Sequence, residues 1–155
     1  MIFDRSSFYT GLSGIGRLMG IDVGTKTLGI AVSDLKRNIA SADYTIRRMS
    51  LAKDVALIDS YIKDKQISGV VVGWPLNMNG TTGAQCDYVK KFCDALCRSS
   101  DAPILLWDER LSSEAVDRML IQAGARREKR KQIIDSLAAS YILQGALDAT
   151  RQRLT

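Results

Sequence analysis

The stretch GIDVGTKTLGIAVSD, residues 20–34, reads as a strand, a tight turn and a second strand, with one carboxylate, Asp22, set in the first strand. Leu18, Met19, Ile21 and Val23 make an apolar run that is too short for an ordinary helix and is closed by Gly24, which favours a buried strand. An ionised carboxylate in such a strand costs several kcal/mol unless a cation, hydrogen bonds or water compensates. Asp22 is therefore a candidate metal or phosphate-site residue, with a structural strand-end Asp as the plain alternative. Thr25 and Lys26 add a hydroxyl, an ammonium and backbone N–H groups at the turn, a good environment for a phosphate oxygen. Leu28, Ile30 and Val32 alternate with Gly29, Ala31 and Ser33, so the chain returns as an antiparallel strand.

Working outward, residues 39–48 read as a third strand. Leu51, Val55, Ile58 and Ile62 recur at helical spacing over 50–65, with Lys53, Asp54, Asp59 and Lys63 expected outside. ISGVVVGW, 67–74, follows as a strand apolar on both faces, which completes a crossover unit with a parallel strand. The loop after it lies where open α/β sheets place their ligand crevice. There Trp74 is a candidate for stacking on a base, and Asn77 and Asn79 for bonding phosphate or sugar; a simple turn into the next helix is the alternative. Thr81 or Thr82 is expected to cap that helix, which runs to about residue 98. Cys86, Cys93 and Cys97 fall on one face of it, with Cys86 and Cys97 roughly 16 Å apart along the axis, so they read as core and not as a metal cluster.

Residues 102–109 make a further strand ending in Asp108 and Glu109, followed by Arg110. Laid parallel to the first strand, it brings these carboxylates to the same sheet end as Asp22, and alternation turns only one of them to any given face. Ser112 or Ser113 caps a helix through residue 120. QAGARREKRK, 122–131, then concentrates Arg126, Arg127, Lys129, Arg130 and Lys131, either a solvated face or a grip on a polyanion. The final helix spans about 131–151, with Ile134, Leu137, Ala138 and Tyr141 as its expected buried stripe. Asp135 sits beside that stripe near the helix start, where the helix dipole also favours a carboxylate.

Composition narrows the chemistry. The 155 residues suffice for one domain, and a net charge of +5 favours an anionic partner such as nucleic acid. There is no histidine, so imidazole-based hydrolysis is excluded and acid–base work falls to carboxylates, lysine or metal-bound water. No run of about 18 apolar residues occurs and the first residues lack an apolar leader core, so a cytoplasmic protein without membrane contact is expected. Residues 1–17 read as a loosely ordered extension ahead of a single domain, 18–155.

Four stretches, GIDVGTKTLGIAVSD, VVGWPLNMNG, DERLSSEAV and DSLAAS, resemble in the same order those of the YqgF/RuvX family, relatives of the RuvC Holliday-junction resolvases within the RNase H-like superfold. The resemblance covers about 18–147. It implies an α/β fold with a five-stranded mixed sheet, three antiparallel strands followed by two parallel ones, flanked by helices. It also implies an acidic site in which Asp22, one or both of Asp108 and Glu109, and Asp135 hold two Mg²⁺ or Mn²⁺ ions for an in-line phosphodiester displacement. Asp22 would bridge the ions, while Lys26 and the 126–131 cations grip the backbone. The implied substrate is the 5′ end of the small-subunit rRNA precursor, or alternatively a four-way DNA junction. Ribosomal components are further candidate partners, and both a monomer and a homodimer are compatible with the residues. Two other classes stay open: a catalytically silent RNA-binding module, and an actin-like ATPase suggested by DVGTKT, against which the short, unrepeated chain argues.

Overall fold

In the computed structural model, which describes residues 1–77, 79–108, 121, 124 and 137–149, the apolar run before the first turn forms the strand at the centre of the sheet. In chain order the elements are β1 (Ile2–Phe3), α1 (Arg5–Gly11), β2 (Arg17–Val23), β3 (Thr27–Ser33), β4 (Ala40–Arg47), α2 (Leu51–Asp64), β5 (Ile67–Trp74), α3 (Ala84–Ser99) and β6 (Ile104–Asp108). Residues 137–149 are helical. The sheet order is β1-β6-β5-β2-β3-β4. β2, β3 and β4 are antiparallel neighbours, whereas β5 runs parallel to β2, and β6 parallel to β5.

Among the described residues the expected five strands become six because Ile2–Phe3 pairs in parallel with β6, matching Ile2 to Ile104 and Phe3 to Leu105. Within residues 1–17, Ile2–Phe3 form this strand and Arg5–Gly11 a helix. Asp4 caps α1 by accepting the Ser7 N–H at 2.8 Å, and Phe8 is fully buried against the sheet. A two-residue strand carries too little periodicity to be read from sequence; its position comes from the edge of β6.

Strand alternation divides the core in two. Met19, Ile21, Ile30, Val70, Val72 and Ile104 meet Val55, Ile58, Val89, Phe92 and Leu96 of α2 and α3 on one side. On the other side Leu18, Ala31, Val71 and Leu105 meet Phe8 and Ala139, Ile142, Leu143, Ala146 and Leu147. The stripe of 137–149 is therefore turned by about one residue from the expected one: Tyr141 is exposed, and Ile134 lies outside the described residues. The reason is close approach, since a Cβ on Gly20 would stand 2.7 Å from the Ala139 carbonyl oxygen. In α2, Ser50 caps the helix by accepting the Lys53 N–H, while Leu51 is exposed and Asp54, expected outside, is buried. Arg48 accounts for Asp54, its Nε lying 3.1 Å from Oδ2. α3 starts later than expected, at Gly83 without a side-chain cap, because Thr81 is engaged in the preceding loop. Among the described residues no helix is long and apolar enough to cross a membrane.

Candidate active site

β2, β5 and β6 all end at the same edge of the sheet, and the described candidate residues gather there. Ile21 pairs with Val72, and Val72 with Leu106. One residue further along this register, Asp22 stands beside Gly73, which is paired with Trp107. The next level is Val23, Trp74 and Asp108, with Trp74 and Asp108 directly paired.

Alternation then separates the two carboxylates by face. Ile21 and Val23 belong to the α2–α3 side, so Asp22 shares the opposite side with Leu18 and Gly20, under residues 137–149. Leu106 packs on the α2–α3 side and Trp107 on the other, which sets Asp108 on the α2–α3 side, next to Trp74. Asp22 and Asp108 thus reach one sheet end from opposite faces. Asp22 is partly buried and Asp108 exposed. Glu109, Arg110, Arg126, Arg127, Lys129, Arg130, Lys131 and Asp135 lie outside the described residues.

Thr25 and Lys26 form the two-residue turn directly after β2, closed by the Gly24 N–H donating to the Thr27 carbonyl at 2.9 Å. Both are exposed. The loop after β5 is tied to itself. The Asn77 N–H donates to the Thr81 carbonyl at 2.8 Å, Asn77 Nδ2 donates to Thr81 Oγ1 at 3.0 Å, and Asn79 Oδ1 accepts the Thr81 hydroxyl at 2.6 Å. Asn77 and Asn79 therefore shape a turn, although both remain exposed. Trp74 is partly buried against the α2–α3 core.

Sequence reasoning missed Gly20, which lets the 137–149 helix lie against β2 two residues before Asp22. It also missed Trp107, which Arg5 covers at 5.0 Å from Cζ to ring centroid. The signal for Gly20 was present: a glycine inside an apolar strand marks a close approach. Among the described residues, no three acidic, Cys or His side chains are grouped to hold a metal ion.

A family model described as "RuvX: Holliday junction resolvase" matches residues 16–149. A protein of Clostridioides difficile named "Putative pre-16S rRNA nuclease" is 48% identical over 133 residues, covering 86% of this chain and 94% of its own. One of the same name from Paramagnetospirillum magneticum is 44% identical over 132 residues, covering 85% of each. Thermus thermophilus RuvC, solved with a Holliday junction substrate, superposes with a TM-score of 0.56 at 13% identity, over 88% of this chain and 96% of that one. That likeness establishes the RuvC-like, RNase H-like sheet.

Proposed function

This chain belongs to the RuvX family, and on that premise we propose that it is a divalent-metal-dependent nuclease that matures the 5′ end of the 16S rRNA precursor in the cytoplasm. The observation that carries the reading is the placement of Asp22, a carboxylate at the end of the central strand of a RuvC-like sheet, facing the 137–149 helix. The relatives at 40–48% identity, each named for pre-16S rRNA, support the RNA substrate.

By alternation from Trp107, a strand continued through residue 109 turns Glu109, not Asp108, to the side of Asp22. We therefore assign Asp22 and Glu109 as metal ligands. Asp135, four positions before Ala139 in sequence, is the proposed third. These are hard oxygen donors in a chain without histidine, a set that suits Mg²⁺ or Mn²⁺ over zinc. When bound, such ions lower the pKa of water and offset charge that develops on the phosphoryl oxygens. Asp22 fixes the position of that charge relative to the sheet. The Thr25 hydroxyl and Lys26 ammonium meet the non-bridging oxygens of the substrate backbone, and the 126–131 cations extend that grip. In the net reaction the water oxygen bonds to phosphorus, the bond from phosphorus to the 3′-oxygen breaks, and that oxygen leaves with a proton.

The family description, Holliday junction resolvase, points to a second substrate, a four-way DNA junction. The two are separated by incubating labelled precursor RNA and a labelled junction with wild type and Asp22→Asn, with Mg²⁺ and with chelator. RNA cleavage that requires both Mg²⁺ and Asp22 is expected. Paired symmetric nicks in the junction, with the RNA intact, would transfer the assignment to a resolvase acting as a symmetric dimer. Mg²⁺-indifferent RNA binding without cleavage would make the chain a silent binding module.

A further inference from the structure

A groove of about 470 Å³ opens beside the β2–β3 turn, and its lining includes Lys26, Arg47, Arg48, Met49 and Tyr88. It belongs to the α2–α3 side of the sheet, whereas Asp22 faces the other side, so it is distinct from the proposed metal site and separated from it by the turn that carries Lys26. Its construction is specific. Arg48 is held by Asp54 Oδ2 at 3.1 Å and by donating Nη1 to the Gly24 carbonyl at 3.0 Å. Asp54, buried by this contact, also accepts the Met49 N–H at 3.0 Å. The Arg48 guanidinium lies 5.9 Å from the centroid of the Tyr88 ring, within cation–π range, and steadies that ring from one side.

What the groove presents is a pairing of charge with exposed apolar surface. Among the described residues no hydrogen bond or ion pair engages the Lys26 ammonium or the Arg47 guanidinium. Among the described lining residues the single carboxylate, Asp54, is already paired with Arg48. Beside these cations Met49 is 63% and Tyr88 44% exposed, although both are residues that folding ordinarily covers. A polyanion alone accounts for the cations but not for the aromatic ring, and an apolar peptide alone accounts for the ring but not for the cations. A nucleic-acid strand with unpaired bases satisfies both, with phosphates at Lys26 and Arg47 and a base on Tyr88.

We propose that this groove is a subsite for an unpaired nucleotide segment of the substrate, reached by a strand that passes from the Asp22 face around the β2–β3 turn. The proposal rests on the nuclease reading and adds to it a requirement for single-stranded character next to the cut. A base locked in a duplex cannot offer its face to Tyr88, so fully paired arms leave the groove unused.

The test is fluorescence anisotropy in chelator with a short unpaired RNA oligonucleotide and with a fully paired duplex, using wild type, Tyr88→Ala, Tyr88→Phe and Arg47→Gln. Tyr88 and Arg47 are both exposed, and circular dichroism verifies that the variants keep the fold. Tyr88→Ala is expected to weaken binding of the unpaired RNA about tenfold, in line with the loss of one stacked base, and Tyr88→Phe to retain it. Arg47→Gln should lower the slope of log K against log salt by about 0.7, the amount for one phosphate on a single strand. Duplex binding should be unchanged by Tyr88→Ala. If Tyr88→Ala and Arg47→Gln bind unpaired RNA like wild type while wild type still cleaves precursor RNA, the groove is not the subsite and the nuclease reading survives. Wild type that binds neither oligonucleotide in chelator yet cleaves precursor RNA in Mg²⁺ would overturn the subsite and leave the nuclease reading standing. Tyr88-dependent binding of an acidic peptide without binding of RNA would reassign the groove to a protein partner.

Discussion

Cys93 shows what burial in the core between the sheet and α2–α3 does to an ionisable group. Cys93 is fully buried in α3, and burial, aided by Cys97 and Asp94 nearby, pushes its thiol up to about 12. Burial opposes ionisation, so the stability Cys93 contributes is complete below the ordinary thiol range and is lost as pH rises from there towards about 12. Alkylation needs the thiolate. Treatment of native protein with iodoacetamide at pH 8, followed by mass spectrometry, should therefore modify the partly exposed Cys97 well ahead of Cys93 and Cys86; equal labelling would contradict this packing. The cysteines were legible as core from their helical spacing alone. The inward turn of Asp54 was not, because the partner that makes its burial tolerable, Arg48, precedes the helix and acts through tertiary geometry that no 3.6-residue pattern records.

At the scale of elements, α1 and the 137–149 helix share a face of the sheet and hold each other. The Phe8 ring lies where a Cβ on Gly69 of β5 would touch it at 2.9 Å, and the Tyr9 hydroxyl donates to the Ala146 carbonyl at 2.7 Å. The residues before β2 are thereby part of the scaffold that presents Asp22. Phe8→Ala is expected to destabilise the fold by about 3–5 kcal/mol, read as a lowered denaturant midpoint. A variant as stable as wild type would mean that α1 is dispensable. The β2–β3 hairpin, α2 and β5 were readable because an apolar run, alternation or helical spacing marks each of these elements, all of seven residues or more. β1 was not, since two residues have no period, and the stripe of 137–149 was misjudged by one residue because the contact at Gly20 decides its rotation.

For the whole molecule, the parallel run of β2, β5 and β6 converts residues far apart in sequence into neighbours at one edge, and that convergence was foreseeable once residues 67–74 and 102–109 were read as parallel strands. That Asp108 turns to the face opposite Asp22 was not foreseeable, because it depends on the register that puts Trp107 over the 137–149 side and Asp108 beside Trp74. The positively charged groove on the other side was equally hidden, its residues being drawn from a turn, a strand end and α3. The site therefore has a face as well as an edge, and the face makes a sharp demand on the chemistry. The most direct measurement is the single-turnover cleavage rate of precursor RNA in Mg²⁺ for wild type, Asp22→Asn, Glu109→Gln and Asp108→Asn. Loss of a metal ligand removes several kcal/mol of transition-state stabilisation, so Asp22→Asn and Glu109→Gln should each fall by about 10³-fold or more, with Asp108→Asn within about tenfold of wild type. Full activity in Asp22→Asn, or a loss in Asp108→Asn that Glu109→Gln does not share, would contradict the account.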